Sequence, residues 1–310
     1  MKSAMLSRYL RPGVAIGLSL SLISACNGNQ STTGDGSDAA GAGTVTVLGV
    51  VVGEQQEKLE AALAPFEAET GIDVVYEGTD AFATLLPVRV ESGDAPDIAM
   101  FPQPGLMADF AQSGQLVPIT SFMEMSALEA AYPADWITLG TVDSELYGVW
   151  FRASVKSLVW YNPQAFAAAG YDIPTTWDEM LALSDQMVAD GSTPWCLGME
   201  SGDATGWVGT DWVEDIMLRT AGPSLYDQWI THEIAFNDAA VQTAFEEFGN
   251  IVLNPDYVSG GTVGVISTPF GDSIKGLFGD EPRCYKHRQA DFICVVHSHP
   301  CVSCSHGIPL

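Results

Sequence analysis

Five side chains between residues 200 and 212 could do chemistry together: Glu200, Asp203, Trp207, Asp211 and Trp212. Gly202, Ala204, Gly206 and Gly209 lie among them, so the backbone stays open around the larger groups. Indole rings offer broad apolar faces, and carboxylates accept hydrogen bonds from hydroxyls. Brought into a cleft, these groups suit a solute with C–H faces and hydroxyl rims, as a sugar has. All eight tryptophans lie between Trp136 and Trp229. Composition permits such a site without locating it, since most indoles of an α/β protein belong to its core.

Cations are scarce around this run. Arg152 and Lys156 are two of only three between residues 90 and 274, so each either reaches a ligand or neutralises a nearby carboxylate. Paired carboxylates beside tryptophans also describe glycosidases, in which one acid protonates the leaving oxygen and its partner attacks or activates water. With 39 Asp and Glu residues, chance pairs are inevitable, and the sequence contains no Gly-x-Ser-x-Gly elbow, Walker loop or His-Glu-x-x-His. A secreted carbohydrate-active enzyme is therefore the alternative to a binding protein. The formal charge of −27 argues against nucleic acid and against anionic lipid as ligand surfaces.

The N-terminus reads as an export signal. Lys2, Arg8 and Arg11 precede an apolar stretch over residues 14–25, and Ile23-Ser24-Ala25 leads into Cys26. The apolar stretch is too short for a stable membrane span. The junction is similar to the signal of bacterial lipoproteins, in which the cysteine takes lipid and becomes the mature N-terminus. A chance cysteine after an ordinary signal is the alternative. Residues 1–25 are thus the signal and 26–43 a tether, which as a flexible coil would average roughly 20–25 Å of reach. Export also places the chain in an oxidising compartment. Cys196 and Cys284, the only cysteines between residues 44 and 293, are expected to form a disulfide, with two buried thiols as the alternative.

The elements that must position these groups alternate. Residues 45–51 are a β-branched apolar run. Residues 54–70 carry Leu59, Ala62, Leu63 and Phe66 on one helical stripe, closed by Gly71. A second strand over 72–76, a helix with Phe82, Leu85 and Leu86, and a third strand over 98–101 follow. Strand, helix, strand, helix, strand predicts right-handed crossovers and a parallel sheet covered on both faces. Further on, residues 155–161 predict a buried strand stopped by Asn162-Pro163, then a short helix capped by Gly170. After Pro174, Thr176 and Glu179 predict a capping box.

The strand ending in Tyr161-Asn162-Pro163, the short helix, Gly170-Tyr171 and the start Pro174-Thr175-Thr176-Trp177-Asp178-Glu179 resemble the extracellular solute-binding proteins of ABC sugar importers, the group containing the maltose-binding protein. Residues 200–212 and 284–293 resemble its α-glucoside-binding branch. The resemblance implies an α/β, two-lobed periplasmic-binding-protein type II fold, with lobe one over 44–151 and lobe two over 152–293. Family members then cross back to lobe one, so the resemblance also implies a fold incomplete at the C-terminus and sheets short of apolar cover. It implies capture of a sugar, an α-glucoside or related oligosaccharide, between the lobes and delivery to the membrane permease subunits of an ABC transporter. Catalysis and cofactors are not expected, and the place of work is the outer face of the cytoplasmic membrane or the periplasm.

Carried over position by position, the resemblance points to Glu54 after the first strand, where an acid also suits a helix start. It points to Asp80 after the second strand, equally a helix N-cap, and to Phe101 as an aromatic wall after the third, with Gln103 beside it. Arg152 and Lys156 sit at the crossover, and Glu200, Trp207 and Asp211 rank foremost, with Trp212 offering a second ring. Residues 294–310 break the pattern: they contain no Asp, Glu, Lys or Arg, yet include Cys294, His297, His299, Cys301, Cys304 and His306. This tail is expected to be foreign to the family and disordered. Its ligand types suit zinc but match no complete zinc finger and lie in an oxidising compartment, so adventitious metal binding is expected there, with an evolved site as the alternative.

Overall fold

The computed structural model describes residues 43–279 and 281–296. The signal, Cys26, the tether up to residue 42 and the tail beyond Val296 lie outside the described residues.

The predicted alternation is present. β1 (Thr44–Gly49), α1 (Glu54–Thr70), β2 (Asp73–Gly78), α2 (Phe82–Ser92), β3 (Ile98–Met100) and α3 (Pro104–Gln112) follow in order. The strands form a parallel sheet in the order β2-β1-β3, with Val47 of the central strand opposite both Tyr76 and Ile98. Alternation along β1 sends neighbours to opposite faces. Leu48 packs with Phe82, Leu86 and Phe110 from α2 and α3, while Val47 packs with Tyr76 and, from α1, Leu59. The stripe on α1 is less buried than its spacing predicts. Among its four apolar residues only Leu59 joins the cluster under the sheet, Ala62 is exposed, and Phe66 keeps 46% of its surface.

α4 (Met125–Ala131) and α5 (Ala134–Leu139) lead into a hairpin of β4 (Thr141–Val142) and β5 (Glu145–Leu146), turned by Asp143 and Ser144 at positive φ. The next strand, β6, spans Leu158–Tyr161. It begins three residues later than predicted because Ser157 adopts φ 65°, a left-handed conformation that breaks extended backbone. α6 (Pro163–Ala169) and α7 (Trp177–Ala189) begin as their caps require: the Asn162 side chain accepts from the Gln164 and Ala165 amides, and Thr176 and Glu179 form the reciprocal box. α8 (Trp207–Ala221), α9 (Pro223–Ile230) and α10 (Ala239–Val252) precede β7 (Lys286–Gln289), which pairs antiparallel with β6.

The largest buried cluster gathers Met180, Met187, Trp195, Trp212, Met217 and Ile251 among others, from α7, α8, α10 and the segment before α8. All four residues of β7 are polar and buried, and Lys286 and Arg288 find their partners inside the fold. The expected disulfide forms between Cys196 and Cys284, whose Cα atoms are 5.3 Å apart. It is 1% exposed at each end, and a Cβ placed on Gly276 would strike both sulfurs, which explains a glycine there.

Candidate functional site

α8 starts directly after Gly206, whose φ of 109° few other residues tolerate. Trp207 therefore stands at the first turn and Asp211 one turn further along the same face. Lys156, in the irregular segment before β6, reaches across: its Nζ lies 2.7 Å from Asp211 Oδ2 and 5.2 Å from the centre of the Trp207 ring. Phe270 packs edge-on against Trp207 at 5.1 Å and Phe292 lies tilted at 6.0 Å. Trp207 is partly buried at the rim of the main core cluster, so this group brings an apolar platform, an acceptor and a donor together where that cluster meets the surface.

Two residues that the sequence analysis passed over complete the group. Glu214, three residues beyond Asp211, accepts a hydrogen bond from the Tyr226 hydroxyl at 3.1 Å. Burial raises the Glu214 carboxyl above its ordinary range, with the Tyr226 hydrogen bond opposing, Asp211 adding to the rise and Lys156 opposing it. Burial, then the neighbouring Glu214, pushes Tyr226 up to about 12. Helical spacing from Trp207 and Asp211 could have pointed to Glu214. Nothing local could have pointed to Phe270 or Phe292, which arrive from the far end of the chain.

A second group forms around Gly202. The Glu200 carboxylate accepts from the Gly202 amide at 2.8 Å, and Asp80 presses so close that a Cβ on Gly202 would collide with its carboxylate. Thr84 Oγ1 donates to Asp203 at 3.2 Å beside this contact. Asp80 is thus not the N-cap of α2, a position held by Ala81. The two groups share Phe270, whose amide donates to the Glu200 carbonyl at 3.0 Å and whose ring meets Trp207.

Other expected residues stand apart. Glu54 pairs with Lys58 at 2.7 Å on its own helix. Arg152 donates to Gln55 at 3.1 Å and covers the Phe151 ring. Phe101 is half-buried between Phe82 and Phe110 at 5.5 and 5.6 Å, and Gln103 is exposed at the N-cap of α3 without capping it. Trp212 requires a correction. It is 1% exposed, with its ring packed on Trp195 and Phe248 and covered by Arg288, so it supports α8 from the core and offers no free face.

Residues 52–265 match the family model of the bacterial extracellular solute-binding proteins. Over 249 residues the chain is 64% identical to the osmoprotective compounds-binding protein GgtB of Synechocystis sp., covering 80% of this chain and 59% of that protein. Over 256 residues it is 43% identical to the alpha-glucosides-binding periplasmic protein AglE of Rhizobium meliloti, covering 81% of this chain and 56% of that one. The chain thus spans under two thirds of the length of these relatives. Among solved structures, a chitin oligosaccharide binding protein superposes with a TM-score of 0.68 at 20% identity, over 85% of this chain and 65% of its own. RafE in complex with raffinose gives 0.62 at 21% identity, over 82% and 64%. At such identities the likeness shows the fold alone, which is the α/β fold of solute-binding proteins. The glycosidase alternative finds no support in these relatives, and the chain belongs to the bacterial extracellular solute-binding proteins, which bind solutes and are not enzymes.

Proposed function

We propose that this chain is the capturing part of an ABC importer's receptor, taking up a neutral α-glucoside or related oligosaccharide. The observation that carries this reading is the partly buried Trp207 with the Lys156–Asp211 pair beside its ring. A sugar can lay a C–H face on the indole, donate hydroxyls to Asp211 and accept from Lys156. The pair also disfavours charged solutes. A quaternary ammonium compound would meet the Lys156 cation over the same ring, and an anion would meet Asp211 and Glu214. The name of one curated relative, an alpha-glucosides-binding protein, agrees with a sugar ligand.

In this reading residues 44–151 and 152–293 are two lobes, and the Asp80 and Thr84 contacts with Gly202 and Asp203 are where they meet. Ligand favours closure because only the closed state contacts it from both sides. Glu54, Phe101 and Gln103 then form the outer approach on the first lobe, with Arg152 and Glu200 on the second. Lipid on Cys26 holds the receptor at the membrane beside the permease subunits. Fatty-acid labelling in a bacterial host should tag the wild type and not Cys26→Ser, and equal labelling of both would rule out the anchor.

Calorimetry against maltose, sucrose, trehalose and glycine betaine tests the ligand class, with saturable binding expected among the sugars alone. Trp207→Ala should weaken that binding by about 1–3 kcal/mol, roughly ten- to a hundredfold, through loss of a desolvated aromatic contact. Thermal midpoint and affinity are to be measured on the same variant. A large fall in midpoint with unaltered affinity in the folded fraction would assign Trp207 to the core.

A further inference from the structure

Arg288 is 6% exposed on β7, and its Nη2 group serves three acceptors on different parts of the chain. It lies 2.9 Å from Asp215 Oδ2, 2.8 Å from Ser157 Oγ and 3.2 Å from the Asp211 carbonyl. Two hydrogens on that nitrogen are shared among the three, as in other three-centre bonds. The guanidinium also stacks on the Trp212 ring at 4.6 Å, which fixes its plane. Charge neutralisation alone needs only Asp215, which in addition takes Arg219 Nε at 2.9 Å. The other two bonds go to the segments that carry Lys156 and Asp211. Ser157 is the residue after Lys156, and its left-handed backbone turns Lys156 out of the line of β6. Its hydroxyl bond to Arg288 anchors that turn, while the bond to the Asp211 carbonyl anchors the first turns of α8.

We infer that Arg288 is the positioning residue of the site: by tying Ser157 to the Asp211 backbone, it holds Lys156 and Asp211 together at the edge of Trp207. This inference rests on the reading of Trp207, Lys156 and Asp211 as ligand contacts. Arg288 itself touches no ligand. It acts through the two segments it bridges, which the sequence keeps 55 residues apart between Lys156 and Asp211.

The test uses the full chain labelled with 5-fluorotryptophan, with the Trp207 resonance assigned through Trp207→Phe. Lys156→Met removes the cation above the ring and defines the shift of an unattended indole. Ser157→Ala, which deletes one acceptor and leaves the buried Arg288–Asp215 pair intact, and Arg288→Lys, which keeps the charge and loses the planar fork, should both move the resonance towards the Lys156→Met position. Adding Lys156→Met to either should then cause little further shift. A role confined to stability would lower the midpoint and leave the resonance of the folded protein at the wild-type position, and that result in Ser157→Ala would overturn the inference even if Arg288→Lys fails to fold. Calorimetry with the sugars above provides a separate arm. Lys156→Met and Ser157→Ala are each expected to weaken binding, by roughly tenfold and severalfold, and the double variant to be no weaker than Lys156→Met alone. If Lys156→Met binds sugar as the wild type does, the ligand reading of the pair fails, while the resonance still reports whether Arg288 places it. Additive losses in the double variant would overturn the positioning role and leave the ligand reading standing.

Discussion

Replacing Cys196 and Cys284 together with alanine is expected to lower the stability of the protein by about 4–5 kcal/mol. The bond closes a loop with a sequence separation of 88, and chain-entropy arguments assign such a loop that magnitude through the unfolded state. The native state contributes as well, because both sulfurs pack against Gly276 and two alanines leave that contact empty. Urea unfolding of the double variant and the wild type, both without reductant, measures the difference. A loss below about 1 kcal/mol would mean that the unfolded chain is already restricted by other contacts.

The second large effect concerns Lys286. Its side chain is fully buried, with Nζ donating to the Met180 carbonyl at 3.1 Å and to Ser184 Oγ at 2.6 Å, and standing 4.4 Å above the Trp195 ring. Burial pushes its pKa down from 10.5 to about 7. The sign follows from proton binding. Between about pH 7 and 10.5 the unfolded chain holds a proton that the folded chain has released, so stability rises with pH across that window. Below about 7 both states are protonated and the fold carries the full cost of a buried ammonium, on the order of 5 kcal/mol. Lys286→Met fills the same space, and Ser184 keeps its own bond to the Met180 carbonyl at 2.8 Å. The variant is therefore expected to exceed the wild type in stability by several kcal/mol at pH 6, with the advantage shrinking towards zero above pH 10. Denaturant midpoints of the two proteins at a series of pH values check this. A difference independent of pH would show that the hydrogen bonds and the Trp195 ring hold the lysine charged at no net cost.

What could be read from residues alone was what acts over a few residues. The capping box of Thr176 and Glu179 and the left-handed stop at Gly170 are hydrogen bonds and backbone conformations within one turn, and the structure has both. The alternation of apolar runs placed β1, α1, β2, α2 and β3 in order because a parallel strand pair demands a crossover. The disulfide was legible for a different reason: in an oxidising compartment Cys196 and Cys284, the two cysteines between residues 44 and 293, are expected to pair, and they do.

The site itself was decided in three dimensions. Residue type nominated both Trp207 and Trp212, yet α8 turns one towards Lys156 and the other into the core, where Arg288 covers it. Asp80 had the credentials of a helix cap and instead meets Gly202, 122 residues away, because a glycine there leaves room for a carboxylate. Nothing in the sequence tied Arg288, Phe270 and Phe292 to Trp207, Lys156 or Asp211, since those partners lie tens of residues distant and depend on how β6, β7 and α8 pack. Local hydrogen bonding and hydrophobic period determined which elements form. Which side chains share a surface was left to long-range packing, where the orientation of one helix decides whether a tryptophan faces solvent or the core.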